Sequence, residues 1–237
     1  MNPFQGKLKG YSAGKVLDFG TGAGASVKSV MDAVKEFDII TGIDTTEPQQ
    51  GISPDLLNSP NFHYIQHDGL PLPFESGCFD TVYMSSVLHH LPVGSRQEVL
   101  VELKRVLTPG GYFLFVDGYC DGQSGARKTQ ILFHYLRAVM DSEGGIHHYP
   151  TLPRAELVEH VKSMGFEHCE FFDFVPVRED FHEKAKLDNI AELIDQEIGR
   201  WTHLPRHKQY VRLGEFLKRR LYRTGYLGSK GLVAICY

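Results

Sequence analysis

The sequence predicts an α/β protein built on a doubly wound parallel sheet, and three observations carry that expectation. Short apolar runs of strand length alternate with helix-period segments from residue 15 to residue 117. Most of the predicted strands end in an aspartate or a serine, or run into a glycine turn. The ends of strands are where open α/β sheets bind their ligands. The chain has 237 residues, 42% hydrophobic and 23% charged, which suits one such domain with insertions.

The first strand is read at Lys15 to Phe19, followed by a glycine-rich turn and a helix over Ala25 to Phe37. The glycines let a ligand approach the backbone with no Cβ in the way. Gly20-x-Gly22-x-x-Ala25 fits a dinucleotide cradle. Gly20-x-Gly22-x-Gly24 with Asp18 fits a different ligand, because a carboxylate would repel a phosphate yet suits a cationic amino acid. S-adenosylmethionine carries an ammonium and a sulfonium and no phosphate, so Asp18 tilts the choice toward it.

The second strand, Asp38 to Ile43, ends at Asp44, one βαβ step later, where a carboxylate can accept both ribose hydroxyls. Thr45 and Thr46 follow it as a turn. The third strand, Phe62 to Gln66, leads to Asp68-Gly69, placed for an adenine amine or simply a turn. The fourth strand, Phe79 to Met84, runs into Ser85 and a short helical turn containing His89 and His90. Ser95-x-x-Glu98 reads as a capping box opening a helix that Pro109-Gly110-Gly111 ends. The fifth strand is Tyr112 to Val116, ending at Asp117.

These pieces together resemble a class I S-adenosylmethionine-dependent methyltransferase of the small-molecule (methyltransferase type 11-like) group. The matching segments are VLDFGTGAG, the GID at Asp44, HDGLPLPFESGCFDTVYMSSVLHHL and LTPGGYFLFVD. The resemblance implies a Rossmann-like seven-stranded sheet in the order 3-2-1-4-5-7-6 with strand 7 antiparallel. It implies that Asp18, Gly20, Thr21, Gly22 and Gly24 hold the methionine end of the cofactor, and Asp44 with Thr45 the ribose. Asp68 and Gly69 would hold the adenine, and Ser85 would line the methionine side. Few residues precede the first strand, so the cofactor lid must come from elsewhere or from Pro3 to Tyr11.

Residues 1–237 are read as one domain with helical cap insertions at about 118–150 and 176–228. The first holds a predicted helix, Lys128 to Met140; a further helix runs from Thr151 to Met164, and strand six is Cys169 to Val175. The second insertion is acidic and then basic, which suggests an antiparallel helix pair or a basic docking surface. Strand seven is Gly231 to Tyr237. Phe133, His134, Tyr135, His147, His148, Tyr149 and Trp201 are the expected pocket residues.

The sulfonium already activates its methyl group, so the protein must chiefly align an acceptor and exclude water. A protonated acceptor also needs a base, and His147 and His148 are the expected catalytic residues. No metal is expected: His203 and His207 have i, i+4 spacing, but Pro205 between them argues against one regular helix.

A formal net charge of −4 favours no general nucleic-acid partner. No apolar run is long enough for a membrane span, and the N-terminus lacks a signal-peptide layout. Four scattered cysteines read as reduced thiols of a cytoplasmic chain. Met84-Ser85-Ser86-Val87 replaces the Asn/Asp-Pro-Pro-aromatic motif of many amine and nucleic-acid methyltransferases. The expected function is therefore O- or C-methylation of a small molecule, giving S-adenosylhomocysteine. Alternatives are a noncatalytic cofactor-binding subunit of a partner enzyme, another S-adenosylmethionine reaction, or an NAD(P)-dependent dehydrogenase.

Overall fold

A computed structural model describes residues 4, 6–8, 10–47, 52–176 and 182–237. Its elements in chain order begin with β1 (Lys15–Phe19), α1 (Ala25–Met31), β2 (Ile39–Asp44), α2 (Pro54–Leu57) and β3 (Phe62–Gln66). Next come β4 (Phe79–Ser85), a 3₁₀ turn (Leu88–His90), α3 (Arg96–Val106), β5 (Leu107–Gly118), α4 (Gly125–Glu143) and α5 (Arg154–Lys162). The chain ends with β6 (Cys169–Phe174), α6 (Lys184–Arg200), α7 (His207–Thr224) and β7 (Gly231–Cys236).

The strands form one seven-stranded sheet, ordered β3-β2-β1-β4-β5-β7-β6, as expected. Strands β1 to β5 pair in parallel, and β7 runs antiparallel to both β5 and β6. Successive residues of the central strands face opposite cores, so their sequences read as continuous apolar runs. Leu17, Val82, Phe113 and Phe115 pack with Val99 and Leu103 of α3 and Leu157 and Val161 of α5. Val16, Ile40, Tyr83 and Leu114 pack on the other face with Val27 and Val30 of α1. Phe4 and Leu8 of the N-terminal segment join that second core.

A third core, which includes Phe133, Met140, Ile194, Ile198, Leu217 and Leu221, joins α4 to α6 and α7. Asp195 meets Lys218 at 2.8 Å, and Asp188 accepts the Tyr222 hydroxyl at 2.8 Å. These pairings run in opposite directions along α6 and α7, so the pair is antiparallel and opposite charges meet across it.

Several local expectations are corrected. The helix read from Ala25 to Phe37 stops at Met31. Beyond it the backbone is captured by the N-terminal segment: Lys35 N–H donates to Tyr11 O, and Asp38 N–H donates to Gly14 O. The capping box does not form, because Ser95 is already helical and its hydroxyl donates to Pro92 O at 3.0 Å. β5 starts at Leu107, five residues early, with an irregularity in its pairing to β4 that accommodates Pro109-Gly110-Gly111. The cysteines are not all free thiols. Cys169 and Cys236 face each other across β6 and β7 and are disulfide-bonded, while Cys78 and Cys120 are free. Among the described residues no helix is long and apolar enough to cross a membrane.

Candidate active site

The glycine turn between β1 and α1 is built on three different demands. Gly20, Gly22 and Gly24 all have positive φ, at 75°, 51° and 83°. A Cβ on Gly20 would lie 2.3 Å from Val87 Cγ2, and one on Gly24 would lie 2.5 Å from Leu56 Cδ2. Those two glycines are needed for packing. A Cβ on Gly22 would meet no atom within 4 Å, so Gly22 is the residue that faces open space.

Asp18 sits beneath this turn, 1% exposed. Its Oδ2 accepts the Ser26 hydroxyl at 2.9 Å, while its Oδ1 is buried without a partner. Burial pushes its pKa up to about 6; the hydrogen bonds from Ser26 and Thr21 oppose the rise, and the Asp44 carboxylate adds to it. A buried acceptor without a donor costs free energy unless something supplies one. A cationic ligand would do so and would favour the ionised carboxylate.

Asp44 anchors the turn from β2. Its Oδ2 accepts the Gly22 amide at 2.8 Å and its Oδ1 the Thr46 amide at 3.0 Å. Thr45 is held in turn, its carbonyl accepting Gln66 Nε2 at 3.1 Å. A phosphate seeking the Gly22 amide would meet this carboxylate already in place, which argues against the dinucleotide cradle. Thr21, buried, donates its hydroxyl to Asp18 O at 2.9 Å and so ties off the turn.

Ser85 stands at the end of β4, two residues past Tyr83, and Tyr83 pairs with Asp18 across β1 and β4. Phe4 packs edge-on against Tyr83 at 5.6 Å, so part of the expected N-terminal cover lies on this side of the sheet. Positions 3, 5 and 9 of that cover lie outside the described residues. Asp68 and Gly69, beyond the end of β3, are both exposed. The three acids thus have different surroundings: Asp18 is buried, Asp44 is bonded to backbone amides, and Asp68 is open.

A second polar constellation lies at the same end of the sheet. Val87 packs on Gly20, and two residues later His89 donates Nδ1–H to Asp117, at the end of β5, at 3.0 Å. His148 Nδ1 does the same to Asp141 of α4 at 2.7 Å, and Asp141 also accepts Trp201 Nε1 at 3.1 Å. His134, two turns before Asp141 on α4, places its Nε2 3.1 Å from His148 Nε2. His90 stacks on His148 with ring centroids 4.5 Å apart. Burial pushes His90 down to about 4 and His134 down to about 3, with neighbouring histidines adding to both, so these rings are neutral near pH 7.

The two expected catalytic histidines therefore part company. His148 is buried inside this cluster. His147 is exposed, its ring Nδ1 3.2 Å from the Tyr149 hydroxyl and its carbonyl facing His90 Nδ1 at 3.3 Å. Of the expected pocket residues, Phe133 and Trp201 pack inside the third core and Tyr135 is exposed, so none of these three lines the cluster. Trp201 covers Gly144, where a Cβ would lie 2.0 Å from the indole. The convergence of His89, His134 and Asp117 was not anticipated; only the paired histidines in the sequence hinted at it. An open groove of about 850 Å³ along β3 is lined by Thr41, Phe62, Tyr64, Ile65, Phe74 and Phe79.

Residues 17–115 match the methyltransferase-domain family. An uncharacterized methyltransferase of Synechocystis sp. is 32% identical over 103 residues, 44% of this chain and 46% of that protein. A sterol 24-C-methyltransferase of Gibberella zeae is 32% identical over 103 residues, 42% of this chain and 26% of that protein. The chain spans less than half the length of these curated relatives. A phosphoethanolamine N-methyltransferase of Haemonchus contortus, solved with S-adenosyl-L-methionine, has a TM-score of 0.54 and 18% identity. That superposition covers 95% of this chain and 49% of the other, and at that identity it shows the fold. Over residues 17–115 the chain is similar to methyltransferase domains, and its sheet has the order of the Rossmann-like methyltransferase neighbours.

Proposed function

We propose that the chain transfers a methyl group from S-adenosylmethionine to a small-molecule acceptor, at oxygen or carbon, leaving S-adenosylhomocysteine. The observation that carries this reading is the buried Asp18, with one oxygen unpartnered, under a turn whose Gly22 faces open space. The cofactor supplies an electrophilic methyl group on its sulfonium. Asp18 and the turn from Gly20 to Gly24 hold the charged methionine end, with Ser85 beside it. Asp44 and Thr45 face the ribose, and Asp68 with Gly69 the adenine.

Helices α4, α6 and α7, with the loops joining them to the sheet, form the cap over the acceptor. Residues 1–237 work as one domain in this reading, with the cap drawn from the insertions at about 118–150 and 176–228. An oxygen or carbon acceptor gives up a proton as it is methylated. His148, oriented by Asp141, is better placed to take it than the exposed His147. Met84-Ser85-Ser86-Val87 after β4 supports oxygen or carbon over an exocyclic amine. The named relatives are a carbon and a nitrogen methyltransferase, so they do not choose the atom. A cytoplasmic location goes with this reading on the strength of the free thiols Cys78 and Cys120, and the Cys169–Cys236 bond weighs against it.

The test is incubation of the full chain with methyl-labelled S-adenosylmethionine and a fractionated metabolite extract. Label in a small-molecule fraction supports the proposal. Label confined to nucleic acid or protein sinks it, and cofactor binding without any transfer sinks it in favour of the noncatalytic subunit.

A further inference from the structure

We propose that His89, His134 and His148 form a binding site for one divalent d-block cation of the zinc type. The three residues come from three separate pieces of chain: the 3₁₀ turn after β4, helix α4, and the loop after it. One ring nitrogen from each lies within 4.8 Å of the other two. Three histidines with a fourth position left to water or substrate is a common donor set of catalytic zinc. Tetrahedral ligands about 2.0–2.1 Å from zinc stand about 3.3 Å apart. His134 Nε2 and His148 Nε2 are already 3.1 Å apart, so that edge of the triangle is formed and His89 has to draw in.

The outer partners fix which nitrogens are free. His89 Nδ1 is bound to Asp117 and His148 Nδ1 to Asp141, both carboxylates buried. Carboxylates on Nδ1 set the tautomer that leaves the Nε2 lone pair for a metal, and they raise its basicity. With His148 Nε2 an acceptor, the 3.1 Å contact requires His134 to donate its Nε2 proton there. The Nδ1 of His134 is then a buried atom without a hydrogen-bond partner. Moving the His134 proton from Nε2 to Nδ1 frees the Nε2 lone pair, and a cation can then bind all three rings as neutral imidazoles.

Charge points the same way. Among the described residues, neither Asp117 nor Asp141 has a lysine or arginine ion pair; Asp117 faces His89, and Asp141 faces His148 and accepts the Trp201 indole N–H. Two buried carboxylates back the imidazoles, and Arg137, the cation nearest His134 and His148, is paired with Glu197, so acidic groups stand behind the ring cluster where a divalent cation would bind. Imidazole donors suit zinc, copper, iron and nickel over magnesium and calcium.

The site does not depend on the methyl-transfer reading, since cation binding is measured directly. It does bear on that reading: a His148 that ligates a cation has no lone pair left for a proton.

The experiment uses the untagged full chain, stripped with a chelator and titrated with Zn²⁺ against a chromophoric competitor. One tight equivalent is expected in the wild type and in His203→Gln. His134→Gln should bind more than about 100-fold more weakly, and Asp117→Asn about 10–100-fold more weakly. Absence of a tight equivalent in the wild type, or an equivalent unchanged in His134→Gln, overturns the site. Because buried substitutions can unfold the chain, X-ray absorption of the zinc-loaded wild type gives a second reading. Three imidazole nitrogens at about 2.0–2.1 Å are expected. Scattering from fewer than three imidazoles, or from sulfur, overturns it. If zinc binds but no methyl transfer occurs, the site stands and the proposed function falls.

Discussion

The Asp44 carboxylate, at the end of β2, accepts the Gly22 amide at 2.8 Å across the glycine turn. One side chain therefore shapes the turn and also stands where the resemblance puts the ribose. Asp44→Ala removes both roles, and hydrogen bonds to charged groups contribute about 1.5–3 kcal/mol. Affinity for S-adenosylhomocysteine should fall about 10–100-fold by isothermal titration. An unchanged affinity would separate Asp44 from the cofactor.

Gly20 and Gly22 should respond differently to alanine. Both have positive φ, which costs an alanine about 1–2 kcal/mol. Gly20→Ala also drives a Cβ into Val87, so the fold should lose considerably more stability in a denaturant melt. Gly22→Ala meets nothing in the free protein, so it should melt only slightly early yet bind cofactor poorly. Equal effects from the two would contradict the division of labour in the turn.

Asp18 predicts a pH dependence with a definite sign. Its carboxyl has an ordinary pKa of 3.8 and is raised to about 6 in the folded chain. The folded state therefore holds a proton that the unfolded chain has released between these values, and stability contributed by the protonated form is lost as pH rises through that window. The loss is on the order of 3 kcal/mol. Cofactor affinity moves the other way, tightening as pH rises through about 6, because the ligand's cationic end prefers the ionised carboxylate. Urea melts and titrations at several pH values, wild type against Asp18→Asn, check both slopes. The variant should be flat in each.

Trp201 ties α6 to the histidine cluster through Asp141. Trp201→Phe keeps most of the packing on Gly144 but leaves Asp141 Oδ1 without its donor, a cost of about 1–3 kcal/mol. Trp201→Ala loses the packing as well and should cost about 3–5 kcal/mol. Melting curves of the two variants test this order. A Phe variant as stable as the wild type would show that the indole N–H matters little.

Much of the sheet was legible because its information is local. The strand–turn–helix rhythm and the acids at strand ends can be read within a few residues, and β3 was placed residue for residue. What failed involved distant partners. Tyr11 and Gly14 end α1 by taking the backbone groups of Lys35 and Asp38, and nothing near residue 31 announces it. Ser95 turned from the expected cap because Pro92 O, three residues back, is within reach of its hydroxyl. The cysteine pair depends on β6 and β7 being neighbours, 67 residues apart in sequence. The histidine trio is the same kind of case. His203 and His207, the pair weighed for a metal from their spacing and set aside because of Pro205, are not part of it, while positions 89, 134 and 148 are gathered by the fold.

The account rests on the crevice at the glycine turn accepting an adenosyl amino acid and not a dinucleotide. Isothermal titration of the wild-type chain with S-adenosylhomocysteine and, separately, with NAD⁺ tests this most directly. One-to-one binding of the first, weakened by Asp18→Asn, with no heat from the second, is the predicted result. Binding of NAD⁺, or of neither compound, would contradict it.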